Sequence, residues 1–463
     1  MSDSGLKQAL DKMRAAEVAP QAIDVFAHYY RELEQGATGL IFEDSISPLA
    51  APPMLADLDV DADQATAAFG RTAMIKLNGG LGTSMGMDRA KSLLLVRDGR
   101  SFIDLIVEQV QHARRANDAP LPLIFMNSFR TRDDTLSALA KHGEQGVDGL
   151  PVDFLQNSEP KLRADDLTPV DWPADPTLEW CPPGHGDVYV ALEASGLLDS
   201  LLNKGFRYAS VSNSDNLGAA PSVKIAGWFA ASGAPYAAEV CRRTVNDRKG
   251  GHLAVRKADQ RMILRDTAQT AAEEMHYFTD EHRHPFFHTN NLWWDLHALR
   301  ETLAARDGVL GLPLIKNVKT VDPADPAAPE VIQIEAAMGA AIEVFPGATA
   351  IGVERNRFLP VKTTNELLLL RSDVFTVNED GTLAQSVPDL PGVDLDAHFK
   401  KIGEFERRLA DGVPSLRRAR SLAVTGDWTF GSGVTVVGAA TLTDNGASQR
   451  VEDGSILGDG RTA

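Results

Sequence analysis

Five short clusters along the 463-residue sequence combine residue types that handle phosphate anions and sugar hydroxyls. In Leu77-Asn78-Gly79-Gly80-Leu81-Gly82-Thr83-Ser84-Met85-Gly86, four glycines follow an apolar run, and Lys91 comes soon after. Glycine frees the backbone to wrap closely around a ligand, and successive amide N–H groups then form a nest for phosphate oxygens. Lys91 adds a point charge suited to a polyphosphate. The loop is neither a G-K-[ST] phosphate loop nor a dinucleotide fingerprint; a glycine-rich turn without a ligand is the lesser alternative.

The second cluster is Pro182-Pro183-Gly184-His185-Gly186-Asp187. Its prolines stiffen the approach, and its glycines flank His185, whose ring is expected to be exposed. In Val211-Ser212-Asn213-Ser214-Asp215-Asn216 an apolar run ends on a carboxylate between amides. Beside a phosphate cradle, Asp215 is a natural magnesium ligand; an Asx turn is the plainer alternative. His288-Thr289-Asn290-Asn291-Leu292-Trp293-Trp294 pairs asparagines with aromatics. These amides suit sugar hydroxyls, or equally a helix cap. In Arg355-Asn356-Arg357-Phe358-Leu359-Pro360-Val361-Lys362-Thr363-Thr364, a proline fixes the approach to a lysine. That lysine is a phosphate contact or a solvated surface charge.

The surrounding pattern supplies a frame for these clusters. Residues 5–35 carry apolar side chains at helical spacing, and the proline-rich stretch Ile46–Met54 ends that region. This places a boundary near residue 60. From about 70 to 320, short apolar runs alternate with helical patterns. Ala73–Leu77, Leu121–Met126, Val152–Leu155, Tyr208–Val211 and Tyr236–Val240 read as strands. Such alternation predicts an α/β sheet covered on both faces, with ligands beyond the carboxyl ends of the strands. Residues 164–177 and 321–329 read as surface loops, and Asn378–Asp396 as a linker. From Leu422 onward, short β-prone triplets separated by glycines place Val424, Phe430, Val434 and Val437 at intervals suited to a small parallel β-helix. The expected division is 1–60 helical, 61–385 catalytic, and 386–463 linker and β-helix.

Composition removes several classes of function. The 46 basic and 64 acidic residues leave a formal charge of −18, which argues against gripping a nucleic-acid polymer or an anionic membrane surface. A small anionic ligand needs only a local cluster of cations. Two cysteines, Cys181 and Cys241, are too few for a disulfide framework and predict a reducing, cytoplasmic setting. No apolar run reaches the roughly 18 residues of a membrane helix, and the start, MSDSGLKQ, has no signal-peptide character.

Taken together and in order, KLNGGLGTSMG with a following lysine, PPGHGD, a strand ending N-x-DN, TNNLW and FLPVKTT resemble the UTP–glucose-1-phosphate uridylyltransferases best known from eukaryotes. The resemblance runs from about residue 70 to 370. It implies a Rossmann-like mixed sheet flanked by helices, an N-terminal helical segment and a small C-terminal parallel β-helix. It also implies Mg²⁺-dependent synthesis of UDP-glucose and pyrophosphate from UTP and glucose 1-phosphate. On this resemblance, Leu77, Asn78, Gly79 and Gly80 belong to the UTP site, and Lys91 meets the triphosphate. Gln156 reads uracil, Gly184 faces the base, and His185 meets the sugar phosphate. Asn213 touches the glucosyl part, Asp215 holds Mg²⁺, and Asn290 contacts the hexose. Lys362 is similar to the family's essential phosphate-binding lysine.

Two departures concern the sugar end. Asp266, in Asp266-Thr267-Ala268-Gln269, stands where the family commonly has Glu, and His288 stands where it commonly has Asn. They motivate the alternative of another sugar 1-phosphate, such as galactose 1-phosphate or N-acetylglucosamine 1-phosphate. A nucleotide-sugar sensor without turnover and a scaffold acting through its tail are the readings from other classes. Eukaryotic relatives use that tail for self-association, but this chain stops soon after the β-helix motif, so their oligomeric state does not transfer.

Overall fold

The computed structural model describes residues 2–143, 145–243 and 250–458; Met1 and the end of the expected tail, 459–463, lie outside them. The helical region at the N-terminus is two helices, α1 (Ser2–Ala15) and α2 (Pro20–Glu34). Pro20 occupies the first turn of α2, where its missing N–H is no loss. Ile23, Phe26, Tyr30 and Leu33 project from α2 into the main core.

A ten-stranded mixed sheet organises the chain. Its strands in chain order are β1 (Ile46–Pro48), β2 (Thr72–Asn78), β3 (Leu123–Asn127), β4 (Asp153–Leu155), β5 (Tyr208–Asn213), β6 (Tyr236–Arg242), β7 (His252–Arg256), β8 (Met262–Arg265), β9 (Phe286–Asp295) and β10 (Thr349–Val353). The principal order is β1-β7-β9-β5-β2-β3-β4. β5, β2, β3 and β4 run parallel, so Asn213, Asn78, Asn127 and Leu155 end at one edge of the sheet.

The alternation of side chains along these strands builds two cores. Ala73, Ile75 and Leu77 of β2 and Ile124 and Met126 of β3 enter the face covered by α2. Met74, Leu123 and Phe125 enter the other, against the helix Phe102–Asn117. Each fully buried Leu, Ile or Phe contributes about 1.5–3 kcal/mol, so the strands are held from both sides. Lys76 lies on the second face and is 1% exposed, an anomaly that the site explains.

β9 has the decisive irregularity. Opposite β6, Ala238 pairs with Leu292 and Val240 with His288, so residues 289–291 bulge out of the ladder. Asn290 adopts φ +58° within the bulge, a conformation an asparagine tolerates better than most side chains. On its other edge β9 pairs with β5 only up to Leu292 and with β7 at Phe287. The bulge therefore fills the split between those two strands.

The tail forms a parallel stack. β11 (Gly392–Leu395), β12 (Ser415–Val424), β13 (Thr435–Leu442) and β14 (Ile456–Leu457) pair in that order, and Trp428–Phe430 pairs in parallel with Gln449–Val451. Val424, Phe430 and Val434 are buried as expected, but Val436 takes the inward place anticipated for Val437, because side chains alternate along β13. The segment read as a linker is not featureless. Leu383–Gln385 pairs with Phe375–Val377, and β11 completes the stack. Among the described residues, no helix is long and apolar enough to cross a membrane.

Candidate active site

The loop after β2 closes on itself. Leu81 bridges Ala90, and the Lys91 N–H donates to the Gly80 carbonyl at 3.3 Å, so the lysine stands at the neck of the glycine loop. Asn78 anchors the loop's root: its amide donates to Asn127 (2.9 Å) and Thr135 (2.8 Å) and accepts from Ser214 at 3.1 Å. The absence of a Cβ at Gly79 lets the Gln156 amide lie directly against the loop. Gly80 has open space on its Cβ side. Leu77 is the register partner of Asn213, and its carbonyl accepts from the Ser214 hydroxyl at 2.5 Å. Leu77 through Gly80, Gln156 and Asn213 thus share one edge.

Charge gathers next to them. Lys91 Nζ lies 2.6 Å from Asp215 Oδ2 and also donates to the Val361 carbonyl, one residue before Lys362. Lys362 is exposed, and its ammonium lies 5.9 Å from the Phe287 ring centre. It lines a cavity of about 740 Å³ bounded in part by Phe358, Pro360 and Leu390. Directly after it, the Thr363 N–H and hydroxyl both donate to Glu366, at 2.7 Å each, capping the helix Thr364–Arg371. The T-T-N-E spacing is a capping-box signature that makes the lysine's C-terminal side rigid.

The sugar-end residues form a second group. His185 Nδ1 accepts from the Met338 N–H at 2.8 Å. Its ring is not exposed as expected, because Gly184 and Gly186 pack so closely on Ala336 that no Cβ fits at either. The Cβ side of Gly184 thus faces Ala336. Burial pushes the His185 pKa down, partly offset by the carboxylate of Asp266. His288 Nδ1 lies 2.9 Å from Asn290 Oδ1, and its ring packs on Gly339, where a Cβ would come within 2.9 Å of Nε2. Burial, with His185 nearby, pushes His288 down to about 4. Both imidazoles are therefore neutral hydrogen-bonding groups near pH 7. Gly250 lies against Lys362 and Gly251 against Asp266, so this pair of glycines joins the two groups.

The His288 shift makes a stability prediction. The unfolded chain takes up a proton near pH 6.5 and the folded chain only near 4, so this contribution is whole above about pH 6.5 and is lost as the pH falls toward 4. His288→Asn is expected to flatten that part of the stability curve. Denaturant midpoints measured from pH 7 to pH 4 check it, and an unaltered pH dependence contradicts it.

Sequence reasoning missed the buried layer beneath these groups. Glu239 is fully buried on β6 and binds Arg357 through two contacts, at 3.0 and 2.7 Å. It also accepts from Asn291 (3.0 Å) and Trp293 (3.0 Å). Burial opposes its charge, but Arg357 and these donors outweigh burial and hold the carboxyl below its ordinary range. Lys76 donates to Ser212 (2.8 Å) and to the Ala219 carbonyl (2.9 Å), and burial pushes it down to about 7. The available signal was a single charge inside each of two apolar runs, M-I-K-L and A-A-E-V. Charges are rarely buried without a partner.

A lysine paired with a carboxylate beside a glycine loop, and contacting the carbonyl just before a second lysine, is suited to polyphosphate, and fold and site together define a nucleotidyltransferase. A family model described as UTP–glucose-1-phosphate uridylyltransferase matches residues 23–437. The chain belongs to that family. Proteins named UTP–glucose-1-phosphate uridylyltransferase are similar throughout: that of Solanum tuberosum is 38% identical, with 87% of this chain and 83% of the relative aligned. The Saccharomyces cerevisiae protein is 38% identical over 84% of this chain and 77% of its own length. A crystal structure of a UDP-glucose pyrophosphorylase mutant from Leishmania major in complex with UDP-glucose superposes with a TM-score of 0.92 at 40% identity, over 99% of each chain. A Trypanosoma brucei structure gives 0.91 at 40% identity, over 98% of each chain.

Proposed function

We propose that this enzyme transfers a uridylyl group from UTP to glucose 1-phosphate, forming UDP-glucose and releasing pyrophosphate. The observation that carries the site assignment is the contact of Lys91 with both Asp215 and the carbonyl preceding Lys362. A phosphate oxygen of the sugar phosphate attacks the α-phosphorus of UTP; the new P–O bond forms as the bond to the pyrophosphate oxygen breaks. The attacking oxygen is already anionic, so no general base is needed. The barrier is mainly charge repulsion and alignment. Lys362 neutralises the attacking phosphate and the α-phosphate. Lys91 and the amides of the 79–86 loop hold the β- and γ-phosphates. Gln156 and Gly184 address the uracil. His185 meets the sugar phosphate as a neutral hydrogen-bonding group, and Asn213, Asn290, Asp266 and His288 surround the hexose.

A divalent cation fits the donor set. No cluster of three or more His, Cys, Asp or Glu side chains forms a protein cage among the described residues. Mg²⁺ commonly needs only one or two carboxylates, with phosphates and water completing its shell. Asp215 would hold it, and the ion would neutralise charge on the phosphates of UTP and on the departing pyrophosphate. Asp215→Asn is expected to raise the magnesium concentration for half-maximal turnover by about tenfold or more. A titration of turnover against Mg²⁺ checks this, and an unchanged curve removes Asp215 as the ligand. Cys181 and Cys241 are both buried thiols rather than disulfide partners, in keeping with a reducing cytoplasmic setting.

The assay that tests the whole assignment measures pyrophosphate release from UTP with a panel of sugar 1-phosphates. Glucose 1-phosphate should give the highest kcat/KM. The shorter Asp266 and the His288 ring favour a second reading at the hexose alone, and a higher kcat/KM for galactose 1-phosphate or N-acetylglucosamine 1-phosphate would establish it. No release with any sugar phosphate would leave only a binding protein.

A further inference from the structure

Asn216 follows Asp215 and is 2% exposed. Its side chain uses its complete hydrogen-bonding capacity. Oδ1 accepts from the Gly218 N–H (3.1 Å) and the Leu359 N–H (2.8 Å). Nδ2 donates to the Arg357 carbonyl (3.2 Å) and to Asn291 Oδ1 (3.0 Å). Two backbone donors on one side and a carbonyl on the other fix which end of the amide is oxygen. The Gly218 contact is an Asx turn made by Asn216 itself. The other three contacts reach two different segments of the chain.

Those segments carry the remaining site residues. Leu359 and Arg357 lie on the stretch leading to Lys362, and Asn291 adjoins Asn290 in the β9 bulge. Asn216 also forms a backbone bridge with Pro360. Gly218 presses directly on the same stretch: a Cβ there would come 2.6 Å from the Arg357 carbonyl carbon. Arg357 is pinned in turn by Glu239 and the Ala220 carbonyl at 2.8 Å.

We propose that Asn216 is a positioning residue for uridylyl transfer: its amide sets the separation of Lys362 from Asp215 and from Asn290 while touching no substrate itself. The geometry admits no substitute of the same size. Aspartate lacks the two donors, and leucine lacks all four partners. The inference rests on the role given to Lys362 above and is worded so that the two can fail separately.

The test is a double-mutant cycle on the full chain. Asn216→Ala in the wild-type background should lower kcat by about 10²-fold, the scale of an ångström-level misplacement. KM for UTP and for the sugar phosphate should stay within about twofold. In a Lys362→Ala background the same substitution should change kcat by no more than about twofold, because there is no longer a lysine to misplace. A purely structural asparagine would give the same loss in both backgrounds. Equal losses, or a wild-type kcat for Asn216→Ala, overturn the proposal. A wild-type kcat for Lys362→Ala alone instead overturns the catalytic role of the lysine. Should Asn216→Ala fail to give a cooperative thermal transition, Asn216→Asp replaces it. That variant keeps both acceptor contacts and turns the donors into an oxygen facing two oxygens, and the same non-additivity is expected.

Discussion

Lys362→Ala should turn over about 10²–10³-fold more slowly than the wild type, equivalent to about 2.7–4 kcal/mol of transition-state stabilisation. The estimate follows from the chemistry. Two anions must approach, and a preorganised cation aimed at the transferring oxygens is worth most where water is excluded. The Lys362 side chain is exposed, and the helix that follows is capped by Thr363 and Glu366. The thermal midpoint should therefore stay close to that of the wild type. Steady-state kinetics beside a melting curve check both halves. Near wild-type turnover refutes the role, and a collapsed melt with proportionate loss of activity assigns Lys362 to the fold instead.

Glu239→Gln should destabilise the protein by about 3–5 kcal/mol, the usual cost of leaving one member of a buried ion pair uncompensated. Glutamine keeps the shape and the acceptor for Trp293, but its NH₂ faces the Asn291 and Arg357 Nε donors, so the loss reports the charge together with those two contacts. The unpaired group is Arg357, whose side chain is only 14% exposed. Lys76 lies close enough for Arg357 to depress its pKa further and for Glu239 to raise it. Urea unfolding of wild type and variant gives the difference from the midpoints and slopes. The pair Glu239→Gln with Arg357→Met should recover part of the stability, since a buried ion pair replaced by neutral groups is often close to isoenergetic. If the single substitution costs under about 1 kcal/mol, the ion pair is not what ties the 354–362 stretch to the sheet.

The two variants separate layers that meet at one place. The groups proposed to meet substrate sit mostly on loops beyond the strand ends. The groups that hold those loops lie one layer down, within β2, β5, β6 and β9. Asn216 belongs to both layers, since its backbone follows Asp215 and its side chain is buried. Activity should accordingly depend on residues that no substrate reaches, and stability on residues that a view of the site alone would pass over.

How much of this was legible in advance depends on the range of the interactions. The strand–helix alternation and the glycine-punctuated tail were read correctly, and the glycine loop and Asp215 follow strands as expected, because each placement is a local matter of periodicity, backbone freedom and turn chemistry. The break at Pro20, the pairing within 375–385 and the exchange of Val436 for Val437 needed the register of packed neighbours. His185 was misjudged because two glycines suggest an open backbone; here they let Ala336 approach, and the residue is left only half-exposed.

What the sequence by itself determined was which residue types stand beyond which strands, because hydrophobic period and glycine placement follow from neighbours a few positions away. Only the tertiary structure decided that Lys91 meets Asp215, that β9 must bulge for Asn290 to project, and that Asn216 joins segments up to 143 residues apart along the chain. Those distances are set by how parallel strands align and by where buried polar groups find partners. Both are properties of the assembled sheet, in which each charge's environment comes from remote chain.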